Sequence, residues 1–331
     1  MQPPRLFLAI DSGTTNTRVW LLRDGEVVAR ADVLAGVRDT ARTGSVATLR
    51  DGVRAAIRQA ASQAGGETPT VALAAGMITS GLGLVELPHL PAPVGLKDLA
   101  QAVERVDFAD AGGLAAYFVR GVRIGDVRCG LAGAPQTDII RGEETEVFGA
   151  LDMLSLPGPL LYIHLGSHTK AIRVDRRGRI TGGVTTLTGE LDHVVRTHTI
   201  LSSALPPERM ERFDDELLLA GAHWTEKYGL PRALFLIRIL EQSGEYDPQQ
   251  LGNIVAGALA SADMHALRGH GLLRAPRAPV ILSGRPRFQA AWSRFLEREG
   301  LSVTVLSPEE TERAFLTGLQ RIVFTSPAFS Q

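Results

Sequence analysis

Two short turns built from glycine and hydroxyl side chains contain the residues best suited to chemistry. The first reads Asp11-Ser-Gly-Thr-Thr-Asn16, and the second reads His164-Leu-Gly-Ser-His-Thr169. Backbone N–H groups in such a turn point into a concavity that favours anions, and glycine removes the Cβ that would block close approach. Either turn alone is also typical of a structural hairpin. The pair predicts phosphate binding, as for a nucleoside triphosphate held between two lobes.

Both turns lie in the same pattern of strands, which must position them. In each copy a buried apolar strand enters the turn, a second strand leaves it, and the chain then reverses at a glycine corner suited to a two-residue hairpin. The copies align without a gap, because Gly13 matches Gly166 at the turn and Gly25 matches Gly178 at the corner. The duplication predicts two similar lobes.

The composition is that of a two-domain globular protein. A chain of 331 residues is too long for one ordinary core and long enough for two domains. Its formal net charge of −1 argues against non-specific binding to nucleic acids or anionic membranes. Cys129 is the single cysteine, so no disulfide can form within one chain. The N-terminal residues lack a signal-peptide pattern and no apolar run approaches the roughly 18 residues of a membrane span, so we expect a cytoplasmic protein.

A polar cluster, Asp138-Ile-Ile-Arg-Gly-Glu-Glu-Thr145, precedes a helix predicted from residue 147. One of its carboxylates could serve as a general base and its arginine as an anion contact. Alternatively, the acidic residues only cap the helix. Asp138, Glu143 and Glu144 are expected in one loop, and spacing does not identify the base. Glu143 and Asp138 rank above Glu144, because the helical turn that follows would direct Glu144 towards the helix flank.

A glycine-rich stretch, Gly76–Gly83, and a proline-rich stretch, Pro88–Pro93, follow a predicted strand. The proline-rich stretch is predicted to contain no regular structure, because proline lacks an N–H and restricts the residue before it. A loop of this length is usually functional, here as part of an acceptor site, and a rigid connector is the alternative. The role of Pro88–Pro93 stays open.

The order of elements in each half is similar to the ribonuclease-H-like arrangement of the actin, Hsp70 and sugar-kinase superfamily. The resemblance implies an α/β fold of two lobes with an interlobe nucleotide cleft. Pro157-Gly-Pro159 is typical of a hinge-like connector. It divides an N-terminal lobe (1–156), with the first phosphate turn and the sugar-acid loops, from a C-terminal lobe (157–331), with the second phosphate turn and the adenosine site. His164 stands where an aspartate is common in the superfamily.

Five motifs resemble the 2-dehydro-3-deoxygalactonokinase family, in the right order across almost the whole chain. They are Asp11-Ser-Gly-Thr-Thr-Asn-Thr-Arg18, Ala75-Gly-Met77, Arg141-Gly-Glu-Glu-Thr145, Gly166-Ser-His-Thr-Lys170 and Thr188-Gly-Glu190. The chain departs from the family pattern at Ser12, where tryptophan is frequent, and at Ala171, which replaces an aromatic residue. The resemblance implies ATP-dependent phosphorylation of the 6-hydroxyl of 2-dehydro-3-deoxy-D-galactonate, which gives the 6-phosphate in galactonate catabolism.

The resemblance also implies roles for single residues. Asp11 would hold Mg²⁺ through water, because Mg²⁺ dehydrates reluctantly, and would join the candidate bases in the catalytic set. The nucleotide would be bound by Gly13, Thr14, Thr15, Asn16, Gly166, Ser167, Ser283 and Gly284. The sugar acid would be bound by Arg18, Met77, Arg141, His168, Lys170 and Glu190. Arg141 is the preferred partner of the carboxylate, and Lys170 is expected nearer the transferred phosphate.

Two other functions stay open at this point. The chain could phosphorylate a different sugar or sugar acid, or it could be an actin-like or Hsp70-like ATPase with a conformational output. The expected partners are ATP and a small sugar acid, with no nucleic acid and no membrane. The sequence decides neither the galacto or gluco epimer nor the oligomeric state, for which a homodimer is one alternative.

Overall fold

The chain forms two compact units. The computed structural model describes residues 4–65, 67–205, 212–273 and 278–330. Unit 1 consists of Met1–Gly158, Asp175–Gly182 and Thr311–Gln331, and unit 2 consists of Pro159–Val174 and Gly183–Glu310. The sequence-based division into 1–156 and 157–331 lies close to the first crossing between units. It differs at Asp175–Gly182 and at Thr311–Gln331, two later segments in which the chain returns to unit 1.

Strands and helices alternate in both units, as expected for an α/β protein. The strands are β1 Leu6–Ser12, β2 Thr17–Arg23, β3 Glu26–Val33, β4 Val71–Gly76, β5 Leu90–Pro91, β6 Glu104–Phe108, β7 Leu114–Phe118, β8 Val122–Ile124, β9 Asp138–Ile140, β10 Leu160–Leu165, β11 Thr169–Val174, β12 Ile180–Thr186, β13 Val280–Gly284 and β14 Val303–Val305. The helices are α1 Val37–Thr43, α2 Ala47–Ala61, α3 Leu96–Gln101, α4 Gly130–Gly133, α5 Glu143–Met153, α6 Thr188–His198, α7 Asp215–Tyr228, α8 Leu230–Ser243, α9 Pro248–Gly269, α10 Pro286–Arg298, α11 Pro308–Phe324 and α12 Pro327–Ser330. Within the described ranges, no helix combines the length and the apolar character needed to cross a membrane.

The same strand order occurs in two sheets. One sheet has the order β3-β2-β1-β4-β7-β6, and the other has the order β12-β11-β10-β13-β14. In each sheet the first strand of the hairpin pairs antiparallel with the next strand and parallel with a later one. Central strands that are covered on both faces read as continuous apolar runs, which is why both hairpins could be found from the sequence. The predicted duplication is confirmed.

The two hairpins differ in the length of their turns. Asp11 pairs with Arg18 across the first hairpin, and His164 pairs with Lys170 across the second. The second turn is one residue shorter, so the gap-free alignment holds up to the turn glycine and is wrong beyond it. The structural counterpart of Arg18 is therefore Lys170.

The corner that follows β11 is also wider than predicted. β2 and β3 are separated only by Asp24 and Gly25, as expected for a two-residue hairpin. The corner around Gly178 instead spans residues 175–179, because the Asp175 carboxylate accepts the N–H groups of Arg177 (2.8 Å) and Arg179 (3.0 Å). A side chain that bonds to nearby backbone groups favours such a longer turn.

The return of the C-terminus to unit 1 has a packing cause. Gly149 of α5 and Gly318 of α11 leave no space for a Cβ, because the backbone of the facing helix occupies it. The two helices therefore lie in direct backbone contact. The aromatic rings of Phe315 and Phe324 on α11 also pack against Trp20 and Phe7 of the unit 1 sheet.

The proline-rich stretch contains a short strand, so the prediction of no regular structure there was wrong. Leu90 donates its N–H to the carbonyl of Gly121 (2.9 Å), and Ala92 donates to the carbonyl of Arg123 (2.8 Å). β5 is the edge strand of a small sheet with the order β5-β8-β9. An edge position tolerates Pro91, because a proline removes a hydrogen bond only from the side that faces no strand.

Candidate functional site

The first glycine turn lies between β1 and β2 in unit 1. The N–H of Gly13 donates to the carbonyl of Asn16 (2.8 Å) and closes the turn. The start of α1 supports it, because the N–H of Arg38 donates to the Thr14 carbonyl (2.9 Å). Thr14 and Thr15 are half-buried, and Asn16 is exposed. The predicted nucleotide-binding residues of unit 1 therefore share one supported turn.

Asp11 lies near the end of β1, beside the glycine that ends β4. Gly76 has a φ of +89°, and a Cβ there would lie 3.0 Å from Asp11 Oδ1 and 2.6 Å from the carbonyl oxygen of Ser12. Glycine adopts this conformation readily and leaves space for the carboxylate. A Cβ on Gly142 would in turn lie 3.2 Å from the Cα of Gly76. Gly76 thus brings the first hairpin next to the acidic segment that starts α5.

The Asp11 carboxylate forms an ion pair across the hairpin. Its Oδ2 lies 3.8 Å from Nη2 of Arg18, and its side chain is 19% exposed. No group of three or more His, Cys, Asp or Glu side chains that could hold a metal is found in the described part of the chain. Mg²⁺ in phosphoryl-transfer sites commonly uses one or two carboxylates, with water and substrate phosphates as the other ligands. A single carboxylate beside a hydroxyl-rich turn fits a Mg²⁺ ion that binds together with a nucleotide.

Arg141 joins the acidic segment to the loop that contains the proline-rich stretch. It is 9% exposed, and its Nη1 donates to the carbonyl and to the hydroxyl of Thr79, both at 2.5 Å. Nη2 donates to the Leu87 carbonyl (3.0 Å) and lies 3.2 Å from Nδ1 of His89. These four contacts match the four hydrogens on the two terminal nitrogens. Contact between Arg141 and a substrate carboxylate stays a prediction.

The three candidate bases do not share one loop, so that expectation was wrong. Asp138 starts β9, whereas Glu143 and Glu144 form the first turn of α5, which begins at residue 143 rather than 147. The reason is local: Glu143 Oε2 accepts the N–H of Arg141 (3.1 Å), and both Glu144 oxygens accept the N–H of Gly142 (2.7 and 2.9 Å). Carboxylates that take such N–H groups stabilise a helix start. The capping alternative therefore describes what these two side chains do in this structure.

Burial separates the two glutamates chemically. Glu144 is fully buried, and Glu143 is half-buried. Burial, together with the negative charge of Glu143, raises the pKa of Glu144 to about 8. Burial also lowers the pKa of the Arg141 guanidinium. The negative charges of Glu144 and Glu86 act in the opposite direction and raise it. The Glu144 carboxyl is therefore mostly protonated at neutral pH and is a poor proton acceptor there.

The segment after Gly76 is an ordered turn rather than an open loop. Met77 begins a short 3₁₀ turn and packs, half-buried, against the apolar core of unit 1. The N–H groups of Leu84 and Val85 both donate to the carbonyl of Ile78 (3.0 and 3.1 Å). The chain thus doubles back before it reaches the contacts with Arg141. Met77 lies next to Gly76, as its place in the motif requires.

The second glycine turn, in unit 2, is supported by α6 and by the start of α10. The N–H of Glu190 donates to the Ser167 carbonyl (2.9 Å), and Glu190 Oε1 lies 3.2 Å from Nε2 of His168. Nη2 of Arg285 donates to the Ser167 hydroxyl (3.3 Å). The N–H of Gly166 donates to the His168 carbonyl (3.2 Å). Four predicted site residues of unit 2 are therefore adjacent.

The late glycine turn, formed by Ser283 and Gly284 at the end of β13, lies directly beside the second hairpin. Gly284 ends β13 with a φ of +97°, and a Cβ there would lie 2.5 Å from the carbonyl oxygen of Leu165. Ser283 Oγ lies 3.2 Å from Nδ1 of His164. Lys170 is buried and pairs with His164 across the hairpin. Gly284 holds in unit 2 the place that Gly76 holds in unit 1, at the end of the strand parallel to the first hairpin strand.

Sequence reasoning missed the residues that support these turns. Thr79, Leu87 and His89 contact Arg141 from more than fifty positions earlier in the chain, so no local spacing points to them. Arg285 directly follows the late glycine turn, and that adjacency was a usable signal. Gly36 was also missed, although the backbone of the first turn occupies the space that its Cβ would need.

Comparisons of the sequence with known proteins give one consistent family. The model of the family described as 2-keto-3-deoxy-galactonokinase matches residues 11–322. The chain is 23% identical over 316 residues to the 2-dehydro-3-deoxygalactonokinase of Escherichia coli (strain K12), with 96% of this chain and 97% of the relative covered. It is 27% identical over 337 residues to a probable 2-dehydro-3-deoxygalactonokinase of Rhizobium meliloti (strain 1021), with the same coverage of 96% and 97%.

Solved structures with the same fold were also found. A crystal structure of a Sinorhizobium meliloti protein, provisionally described as a 2-dehydro-3-deoxygalactonokinase, has a TM-score of 0.72 at 24% identity, with 96% of this chain and 97% of that chain covered. An activator of 2-hydroxyisocaproyl-CoA dehydratase from Clostridium difficile has a TM-score of 0.51 at 14% identity, with 96% and 94% covered. These similarities concern the fold, and they confirm the predicted two-lobed α/β class.

Proposed function

This chain belongs to the 2-keto-3-deoxy-galactonokinase family, and we propose that it transfers the γ-phosphoryl group of ATP to the 6-hydroxyl of 2-dehydro-3-deoxy-D-galactonate. The products would be ADP and the 6-phosphate, in galactonate catabolism. The use of ATP agrees with the expectation of a cytoplasmic enzyme. One observation in unit 1 supports this most directly: Gly76 joins the Asp11 hairpin to the acidic start of α5. Phosphoryl transfer needs positioning, charge neutralisation and a nearby base, and these residues offer each of them.

Each glycine turn would bind phosphate groups with residues of its own unit. In unit 1, Gly13 closes the turn and leaves room for close approach, and Thr14, Thr15 and Asn16 would offer N–H and polar side-chain groups. In unit 2, Gly166 closes the turn in the same way, Ser167 would offer its N–H and hydroxyl, and the guanidinium of Arg285 adds positive charge beside that hydroxyl. The adenosine would lie against Ser283 and Gly284. Backbone N–H groups and cations are the partners that phosphate groups prefer.

Asp11 would hold Mg²⁺, through water, when the nucleotide binds. The bound ion would neutralise charge on the phosphates that are transferred and released. Arg18 lies 3.8 Å from the Asp11 carboxylate and belongs to the same hairpin. We propose that Arg18 binds the acid group of the acceptor, because a cation there would counter its negative charge.

Glu143 is our first choice for the general base. It is half-buried at the first position of α5 and directly follows Gly142. Gly142 lies close to Gly76, which in turn lies against the Asp11 hairpin. The 6-oxygen would attack the γ-phosphorus while Glu143 accepts the hydroxyl proton and ADP leaves. Asp138 on β9 is the second choice. Glu144 ranks third, because its raised pKa leaves it mostly protonated at neutral pH.

Candidate acceptor-binding residues are proposed in each unit separately. In unit 1 these are Met77 and Arg141, and in unit 2 they are His168, Lys170 and Glu190. Because the terminal nitrogens of Arg141 already bond to the segment 79–89, we propose that its main effect is to shape that segment around the sugar acid. Direct binding of the carboxylate by Arg141 stays part of the proposal through its Nε–H, the donor that these four contacts do not use. Lys170 would lie nearer the transferred phosphate.

A coupled assay of ADP release tests the function. Purified protein with Mg-ATP is given 2-dehydro-3-deoxygalactonate, its gluconate epimer, galactose, glucose or no acceptor. Turnover confined to the two 2-keto-3-deoxy acids would support the proposal, and the ratio between them would give the epimer preference. Turnover with a simple sugar would assign a different acceptor. ADP release that needs no acceptor would support an ATPase with a conformational output.

A further inference from the structure

Asp263 is a buried carboxyl that the proposed reaction does not use. It lies on α9 and is 3% exposed. Its Oδ1 accepts the hydroxyl of Thr188 at 2.5 Å, and the Thr188 hydroxyl lies 2.9 Å from that of Thr186. Burial raises the pKa of Asp263 to about 6, while side-chain hydrogen bonds from Thr188, Thr186 and Thr169 act in the opposite direction. Three threonine hydroxyls therefore lie near one carboxyl, of which Thr188 donates to Oδ1, while the buried Oδ2 has no hydrogen-bond partner within the described residues.

The three threonines belong to the segments that border the second glycine turn. Thr169 is the first residue of β11 and directly follows the turn. Thr186 is the last residue of β12, and Thr188 is the first residue of α6. Asp263 thus connects α9 to one edge of the turn and to the start of the helix that supports it.

The start of α6 touches the turn itself. Gly189, which follows Thr188, leaves no room for a Cβ, because the carbonyl oxygens of Gly166 and Ser167 occupy that space. The N–H of Glu190 donates to the Ser167 carbonyl (2.9 Å). A displacement of Thr188 would therefore move the two residues that hold the backbone of the turn.

A buried carboxyl costs free energy unless hydrogen bonds compensate it. Here the donor to Oδ1 is Thr188, at the border of the turn, and the buried Oδ2 has no hydrogen-bond partner in the part of the chain that the structure describes. Thr188 and Asp263 are 75 positions apart in sequence, so the bond fixes α6 to a separate helix. This arrangement fixes the shape of the turn before any ligand binds, and such preorganisation increases affinity.

We propose that Asp263 is a positioning residue for the phosphates of ATP: through Thr188 and Thr169 it holds Gly166 and Ser167 in the conformation that binds polyphosphate. The inference rests on the proposed function, which assigns this turn to ATP. It assigns to Asp263 no contact with the nucleotide. Loss of the carboxylate should therefore weaken binding of the triphosphate without changing binding of adenosine, which is proposed to lie against Ser283 and Gly284.

Calorimetry on the full-length protein tests the proposal with the non-hydrolysable analogue AMP-PNP and with adenosine, at a pH well above the pKa of Asp263. The variants are Asp263→Asn, Thr188→Val and Thr188→Ser. We expect Asp263→Asn and Thr188→Val to bind AMP-PNP about tenfold more weakly, the effect of losing one hydrogen bond to a charged group. Thr188→Ser keeps the hydroxyl and should keep most of the affinity. The affinity for adenosine should not change.

Several outcomes would overturn the inference. Unchanged AMP-PNP affinity in Thr188→Val would do so, as would an equal loss in Thr188→Val and Thr188→Ser, or an equal loss for AMP-PNP and adenosine. If Asp263→Asn does not fold, the Thr188 pair still decides. Failure of the proposed function is distinct, because wild-type protein would then bind no AMP-PNP or would release ADP without a sugar acid.

Discussion

Nη1 of Arg141 donates to both the carbonyl and the hydroxyl of Thr79, each at 2.5 Å, although the two residues are 62 positions apart. Nη2 donates to the Leu87 carbonyl and lies within hydrogen-bond distance of Nδ1 of His89. A buried guanidinium must be compensated by hydrogen bonds, and this one takes its acceptors from the segment after β4. The start of α5 and the segment 79–89 are therefore fixed to each other by a single side chain.

A lysine at this position should impair the acceptor site. Arg141→Lys keeps the charge but lacks the planar group that reaches four acceptors at once. We expect kcat/KM for the sugar acid to fall by about tenfold or more, with little change in KM for ATP. Arg123→Lys is the matched control. Arg123 lies on β8 of the small sheet, and among the described contacts its guanidinium donates only to the Gly125 carbonyl. Equal losses in the two variants would contradict this role.

Removal of the Asp11 charge should stop catalysis without unfolding the protein. Asp11→Asn keeps the size of the side chain and removes the carboxylate proposed to hold Mg²⁺. We expect kcat to fall by about a hundredfold or more while Tm stays near that of the wild type. Asp32→Asn is the control, since Asp32 is an acid of the same sheet that pairs with Arg30 on the surface. Turnover close to wild type in Asp11→Asn would remove Asp11 from the metal site.

Features encoded by neighbouring residues could be predicted from the sequence. Both hairpins were found because a continuous apolar strand, a glycine turn and a glycine corner follow one another along the chain. α2 is encoded in the same local way, because Leu49, Val53, Ile57 and Ala60 recur at helical spacing on one buried face. Asp11, the two turns and the late glycine turn were located for the same reason. Their chemistry depends on residue types that are adjacent in sequence.

Features that depend on distant contacts could not be predicted. Spacing does not show that α11 returns to unit 1, because Gly149 and Gly318 become informative only when their helices are seen to touch. The partners of Arg141 are equally remote. The full burial of the Glu144 side chain could not be predicted either, because it depends on the elements packed around α5 rather than on the first turn of that helix.

Gly76 should be essential for both stability and activity, and Gly112 provides a matched comparison. Gly112 also has a positive φ, +72°, but no heavy atom lies within 4 Å of the place of its Cβ. Gly112→Ala should therefore lose only about 1 kcal/mol of unfolding free energy, the cost of a positive φ, with normal kcat. Gly76→Ala should lose more unfolding free energy than Gly112→Ala, because its Cβ would displace Asp11 and Ser12. It should also lower kcat by about tenfold or more. Urea unfolding and steady-state kinetics measure both effects, and normal kcat in Gly76→Ala would contradict the role assigned to this glycine.

The buried carboxyl of Glu144 should make stability depend on pH. Its pKa is about 8 in the folded protein against an ordinary value of 4.5, so the folded state binds the proton more tightly than the unfolded state does. The resulting stabilisation is complete at a pH below the ordinary pKa and is lost as the pH rises towards the pKa of the folded protein.

Glu144→Gln abolishes this titration and keeps an acceptor for the N–H of Gly142. Between about pH 5 and pH 8, the unfolding free energy of the wild type should fall relative to that of Glu144→Gln, by an amount on the order of a few kcal/mol. Urea unfolding of both proteins across this range measures the difference, with Glu26→Gln, an exposed position on β3, as the control. A difference between wild type and Glu144→Gln that does not vary with pH would show that this carboxyl titrates normally.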